Sequence, residues 1–236
     1  MLDETDISHE KAWLYQERAN KVVTNLKRVN IDAQYVRSCR EALLVTLEMI
    51  PQGGTVARGD SISVDQIGIM TELRKRNQNK IIDPQERDVN GFFVAEQEER
   101  SALAREAFFS DIYLTGTNAI TMDGKMVNVD GWGNRVAAMV FGPKKVIVVA
   151  GANKIVKDVK EAHERIHRFA ARMNAKRHFL KHHWSEFADL PCVRTGNCVD
   201  CNHGWCMCRY TVIIAGTMSK DKGRINVVLV GEELGI

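Results

Sequence analysis

No run of apolar residues in this chain approaches the roughly 18 that a membrane span requires. The N-terminal stretch MLDETDISHEKAW is acidic and polar, and it lacks the basic start and apolar stretch of a secretory signal. The expected location is therefore the cytoplasm, where thiols stay reduced. A net charge of +3 is too small to imply nucleic-acid binding, and no nucleic-acid motif appears. Internal repeats and low-complexity segments are also missing, and no Ser–His–Asp or Cys–His constellation can be read, so no nucleophile is assigned.

What is present fits one folded unit. The 236 residues, 44% hydrophobic and 27% charged, suffice for a single α/β domain over 1–236. Apolar residues recur at helical spacing over 8–30 (Trp13, Ala19, Val22, Val23, Leu26, Val29). A second helix is predicted over 38–50, ending before Pro51. A strand at Thr55–Ala57 runs into the turn Gly59-Asp60-Ser61 and a helix to about Lys75. A strand at Ile81-Ile82, a helix near 96–109, a buried strand at Asp111–Gly116, an extended piece at Met126–Val129 and a helix over 133–142 follow.

The continuous apolar run Lys145–Ala150 (KVIVVA) reads as a central parallel strand covered on both faces. A long helix is predicted after it, over about 155–178. Strands alternating with helices argue for an α/β fold with an open, mainly parallel sheet flanked by helices. Two further apolar strands, Tyr210–Ala215 and Ile225–Val230, close the chain behind a Cys-rich loop at 190–208.

Six cysteines are present. Cys39 stands alone and reads as an inert, partly buried thiol. Cys192, Cys198, Cys201, Cys206 and Cys208 lie within 17 residues, spaced C-x5-C-x2-C-x4-C-x-C. In a reducing compartment such crowding points to metal ligation rather than disulfides. The thiolate is the ligand form, and Cys198 and Cys201 form a C-x2-C pair that can reach one ion. Four thiolates suit structural zinc or a [4Fe–4S] cluster able to pass electrons. Spacing alone does not separate these two from a set of free thiols, and His203 is a substitute ligand or a plain loop side chain.

The stretch from Thr115, TGTNAITMDGKMVNVDGWGNRVAAMVFGPKKVIVVAGANKI, resembles the signature of the LUD domain of lactate-utilisation proteins. Matching elements include Asn118-Ala119-Ile120, Asp123-Gly124, Asp130-Gly131, Gly133-Asn134-Arg135-Val136-Ala137 and Asn153-Lys154. The resemblance extends to Gly59-Asp60-Ser61-Ile62-Ser63, where Asp60 departs from the usual turn, and to Asn174-Ala175-Lys176-Arg177. It implies a fold similar to the sugar-phosphate isomerase and CoA-transferase superfamily. It also implies a role in L-lactate oxidation, beside iron–sulfur partner subunits. In a subgroup with a cysteine tail, the matching ligands are Cys192, Cys198, Cys201 and Cys208, leaving Cys206 as the extra one.

In an open parallel sheet, ligands bind beyond the carboxyl ends of the strands. Gly59–Ser63, Gly116–Asn118 and Ala150–Lys154 occupy such ends and suit a small anionic metabolite. Ser61 and Ser63 either donate to that anion or, for Ser61, cap a helix. Arg135 and Lys154 pair with its carboxylate or with surface acids. Asp60, Asn118, Asp130 and Asn134 are further ligand candidates, with loop capping as the plain alternative. Asp123 reads as a ligand or a simple turn residue, and Trp132 as a wall. His163 and His167, four apart, share a helix face. The basic run Arg165–His183 reads as an anion-docking face or a solvated one. An oligomer is compatible with all of this.

Overall fold

Seven residues, Lys145–Gly151, form a strand buried along nearly its whole length, as its apolar sequence demands. The computed structural model describes residues 4–199 and 201–236; the start of the acidic N-terminal stretch and residue 200 of the cysteine loop lie outside them. The strands are β1 (Asp32–Val36), β2 (Thr55–Arg58), β3 (Lys80–Ile82), β4 (Ile112–Thr115), β5 (Ala119–Thr121), β6 (Met126–Asp130), β7 (Lys145–Gly151), β8 (Ile155–Val156), β9 (Tyr210–Ile214) and β10 (Ile225–Val230). The helices are α1 (Ser8–Arg28), α2 (Cys39–Glu48), α3 (Ile62–Gln66), α4 (Ile69–Arg76), α5 (Gln97–Glu106), α6 (Asn134–Val140), α7 (Val159–Arg165), α8 (Ala171–Lys181) and α9 (Pro191–Thr195).

Six strands make an open parallel sheet in the order β1-β10-β7-β4-β2-β3. Alternation along β7 sends Val146, Val148 and Ala150 to one face and Ile147 and Val149 to the other. The first face packs with Ala19, Val22 and Leu26 of α1; the second with Ala42 of α2 and Ile69 and Leu73 of α4. Burial on both faces is what makes β4, β7 and β10 read as unbroken apolar runs. The expected α/β architecture is therefore present.

Two features go unread in the sequence, and two local expectations need correction. First, β1 carries the sequence DAQYV, with exposed Asp32 and Gln34; as an edge strand it has no apolar run to betray it. Second, the final two strands do not sit together. β10 inserts between β1 and β7, whereas β9 pairs with β6 in a second, four-stranded sheet of order β8-β5-β6-β9. Third, the long helix predicted over 155–178 starts later. Ile155 and Val156 pair with β5, and the helix begins only where Asp158 caps it by accepting from the Glu161 N–H at 2.9 Å. It then passes through a π-helical turn, Ile166–Ala170, into α8. Fourth, the helix after β2 is broken at Gly68, whose φ of 74° favours glycine.

Among the described residues, no helix is long and apolar enough to cross a membrane.

Candidate functional site

The chain runs outward from β2 to β3 and then returns past β2 to β4, so the strand order reverses between β2 and β4. A crevice opens at such a point, beyond the carboxyl ends of the strands. Here it is a cleft of about 810 Å³. Its walls include Asp60 and Ser61 after β2, Gly116 and Asn118 after β4, and Lys154 after β7. All three turns singled out in the sequence thus meet in one cavity. Close approach explains one glycine: a Cβ on Gly116 would stand 2.7 Å from Ser61 Oγ.

Lys154 is 5% exposed. Its ammonium donates to Ser63 Oγ at 3.1 Å, and among the described residues no carboxylate pairs with it. Burial, with Arg165 and Arg135 nearby, brings its pKa down to about 7. Ser63 is itself buried, behind the wall. Ser61 caps α3, accepting from the Val64 N–H, and lines the cleft as well.

Arg135, on α6, is fixed from several sides. Its guanidinium donates to Asn128 Oδ1 at 2.8 Å, Asn118 Oδ1 at 3.1 Å and the Val129 carbonyl at 2.9 Å, and it pairs with Asp130 at 3.2 Å. Asn118 Oδ1 also accepts from the Val129 N–H. The other oxygen of Asp130 accepts from the Trp132 and Gly133 N–H groups, so Asp130 closes the loop as well as orienting Arg135. Asn134 and Trp132 line the same wall. Asp123 does not: it binds Thr121 and Lys125 in the β5–β6 turn, away from the cleft.

The basic run after β8 is not a plain solvated face. Arg165 reaches inward to donate to the Asn118 carbonyl at 2.8 Å. Arg177 pairs with Asp60, and His178 Nε2 lies 3.5 Å from the same carboxylate. Burial opposes ionisation of Asp60, but the charge of Arg177 outweighs it and holds the carboxyl well below its usual range. His178 and His182 are buried, His178 stacked on Trp184 and Phe187 and His182 edge-on to Trp184, and burial lowers their pKa values to about 4 and about 2. Neither histidine was singled out in the sequence. Their i,i+4 spacing was the available signal, masked by the charges around them.

The cysteine loop folds against this cleft. Met207, between Cys206 and Cys208, forms part of its wall, its backbone close against Gly131. Cys208 packs on Val129 and Ile166, and burial pushes its thiol up to about 12. Cys192 lies against Phe187 and Val193; burial, then its cysteine neighbours, raises its pKa. Burial, then the neighbouring Cys206, raises the Cys201 thiol, and Cys198 Sγ lies 3.7 Å from His167 Nδ1. All five are free thiols. Among the described residues, no three of their sulfurs lie within 4.8 Å of one another. A tetrahedral zinc, with Zn–S near 2.3 Å, draws its sulfurs to about 3.8 Å; a four-iron cube spreads them wider. Cys39, at the start of α2, is far from the others in sequence, and burial raises it to about 11.

The sequence matches the LUD domain over residues 19–230. No curated protein matches it. Among solved structures, the chain is similar to a DUF162 family protein from Deinococcus radiodurans, with TM-score 0.51 and 14% identity over 92% of this chain and 98% of that one. A slighter likeness, TM-score 0.30 and 10% identity over 50% of this chain and 52% of that one, is to ribose 5-phosphate isomerase from Plasmodium falciparum. With the domain match running from α1 to the end of β10, the chain belongs to the LUD domain family.

Proposed function

We propose that this LUD-domain protein serves the oxidation of a small 2-hydroxy acid, L-lactate foremost. It acts as a subunit or accessory factor that holds the acid in the cleft and carries a [4Fe–4S] cluster on Cys192, Cys198, Cys201 and Cys208. The observation that carries the reading is Met207: one residue of the cysteine loop is a wall of the cleft that buries Lys154. A buried ammonium with only a serine hydroxyl for company favours an incoming carboxylate, which would restore its charge. Arg165 adds positive potential, and Asn118 adds polar contacts that fix orientation. The cluster, when bound, supplies one-electron transfer. The chain's residues bind the acid, keep water out with Trp132 and Met207, and hold Arg135 in place through Asp130. Electrons leaving the loop imply an iron–sulfur partner subunit.

A second reading rests on Lys154 alone. An amine with pKa near 7 is suited to proton transfer at neutral pH, as in a stand-alone enzyme acting on a phosphorylated or carboxylated metabolite. Calorimetric titration of oxygen-free protein with L-lactate, glycolate and sugar phosphates separates the readings. Saturable binding of 2-hydroxy acids, lost in Lys154→Met, supports the first. Binding confined to phosphorylated ligands supports the second and contradicts the first.

A further inference from the structure

We propose that Asp60, His178 and His182 form a divalent transition-metal site at the edge of the cleft, separate from the cysteine loop. A ligand atom from each of the three residues lies within 4.8 Å of the others, and they are the only such trio among the described residues. His178 lies in the last turn of α8 and His182, four residues on, caps its C-terminal end, so the two imidazoles fall on one side. Asp60 comes from the β2–α3 turn, across the cleft rim. Two imidazoles and one carboxylate are the donor set used for zinc, iron(II) and related ions in sites that keep open positions for a substrate.

Three observations favour a ligand here over a merely packed pair of histidines. His178 is 4% exposed and His182 7%, yet the Nδ1 atom of each has no hydrogen-bond partner. Buried polar nitrogens left unpaired are uncommon and call for an occupant. The imidazoles stand edge to face, ring centroids 4.3 Å apart, in an aromatic box of Trp184 and Phe187 that holds them rigidly. Asp60 and His178 both line the cleft, so an ion between them would be reachable by a ligand inside it.

The charges nearby shape what such an ion would take. Arg177 pairs with the Asp60 oxygen that His178 Nε2 also approaches. Arg87 and Arg100, both over the Phe93 ring, add positive charge. They disfavour a bare cation but favour one whose open positions are filled by an anion. A metal here would therefore bind together with an anionic chelate, such as a carboxylate bearing an adjacent hydroxyl. The metal site does not depend on a cluster in the cysteine loop.

Cobalt(II) provides the test, because thiolate ligation gives an intense charge-transfer band that nitrogen and oxygen ligands do not. The whole protein, purified without oxygen, is titrated with cobalt(II) in the presence of L-lactate. The expected result is one equivalent bound with ligand-field bands and no added thiolate band. Asp60→Asn and His182→Gln should each weaken that uptake by roughly a hundredfold or more, beyond the tenfold to hundredfold loss typical of outer-shell changes. Near-ultraviolet circular dichroism confirms that the variants fold. Should His182→Gln fail to fold, Asp60→Asn, a near-isosteric change on a partly exposed turn, decides alone. Cobalt taken up only with a thiolate band, or uptake unchanged in Asp60→Asn, overturns the proposal.

Discussion

The Lys154 ammonium, at the end of β7, donates to Ser63 Oγ on α3 across 3.1 Å of buried space. This bond ties the third strand of the sheet to the helix that follows its fifth. It leaves the lysine facing the cleft with no carboxylate paired to it among the described residues. The pH dependence of stability follows. Burial, then Arg165 and Arg135, brings the folded-state pKa to about 7 from an ordinary 10.5. Between those values the unfolded chain binds a proton that the folded chain does not, so stability rises with pH, by at most about 1.4 kcal/mol per unit. Below pH 7 both states are protonated and the full cost of the buried ammonium is present. Lys154→Met is expected to be more stable than the wild type at pH 7, with the gap closing toward pH 10. Urea unfolding at several pH values checks this; a constant gap would contradict it.

Arg135 makes four contacts that a lysine cannot reproduce, because only a guanidinium presents a planar fork of donors. Arg135→Lys keeps the charge but loses the bonds to Asn118, Asn128 and the Val129 carbonyl, and weakens the pair with Asp130, whose side chain is 8% exposed. A loss of about 2 kcal/mol in unfolding free energy is expected, with weaker binding of 2-hydroxy acids. Chemical denaturation at pH 7 measures it, and a change under about 0.5 kcal/mol, the range of ordinary surface substitutions, would contradict it.

Gly116 and Ser61 are coupled by close approach. Gly116→Ala brings a methyl to 2.7 Å from Ser61 Oγ, and the clash is expected to cost about 1–2 kcal/mol. In the double variant Ser61→Ala/Gly116→Ala, the clash is relieved, so the two effects should not add. A double-mutant cycle with a coupling near zero would show the two turns to be independent.

Much of this was legible in the sequence, for physical reasons. β7 announces itself because both its faces are covered; the turns after β2 and β4 carry small residues because they approach each other closely, as Gly116 and Ser61 do. Arg135, Asn118, Asp130 and Lys154 lie in the family signature. The parts that were hidden share one cause: they depend on tertiary cover that sequence periodicity does not report. β1 is a polar edge strand. Ile155 and Val156 look like the start of a helix until β5 is there to pair with them. His178 and His182 sit in a basic run and read as solvated; Phe93, Trp132, Trp184, Phe187 and the turn bearing Asp60 pack around them.

The cysteine ligand set follows from the family resemblance, which leaves Cys206 as the extra one. If Cys192, Cys198, Cys201 and Cys208 are the ligands, Cys206→Ser should retain wild-type iron, and Cys208→Ser should lose most of it. Iron analysis of the two variants, prepared side by side without oxygen, tests the assignment. The opposite pattern would place Cys206 in the set and Cys208 in the core.

The account stands most directly on what the cysteine loop holds. Iron, zinc and acid-labile sulfide should be measured on protein purified without oxygen, together with its visible spectrum. The account predicts about four irons and four sulfides per chain, with a broad absorbance near 400 nm that bleaches on reduction. Zinc bound by thiolates with no sulfide would contradict it, making the loop a structural element.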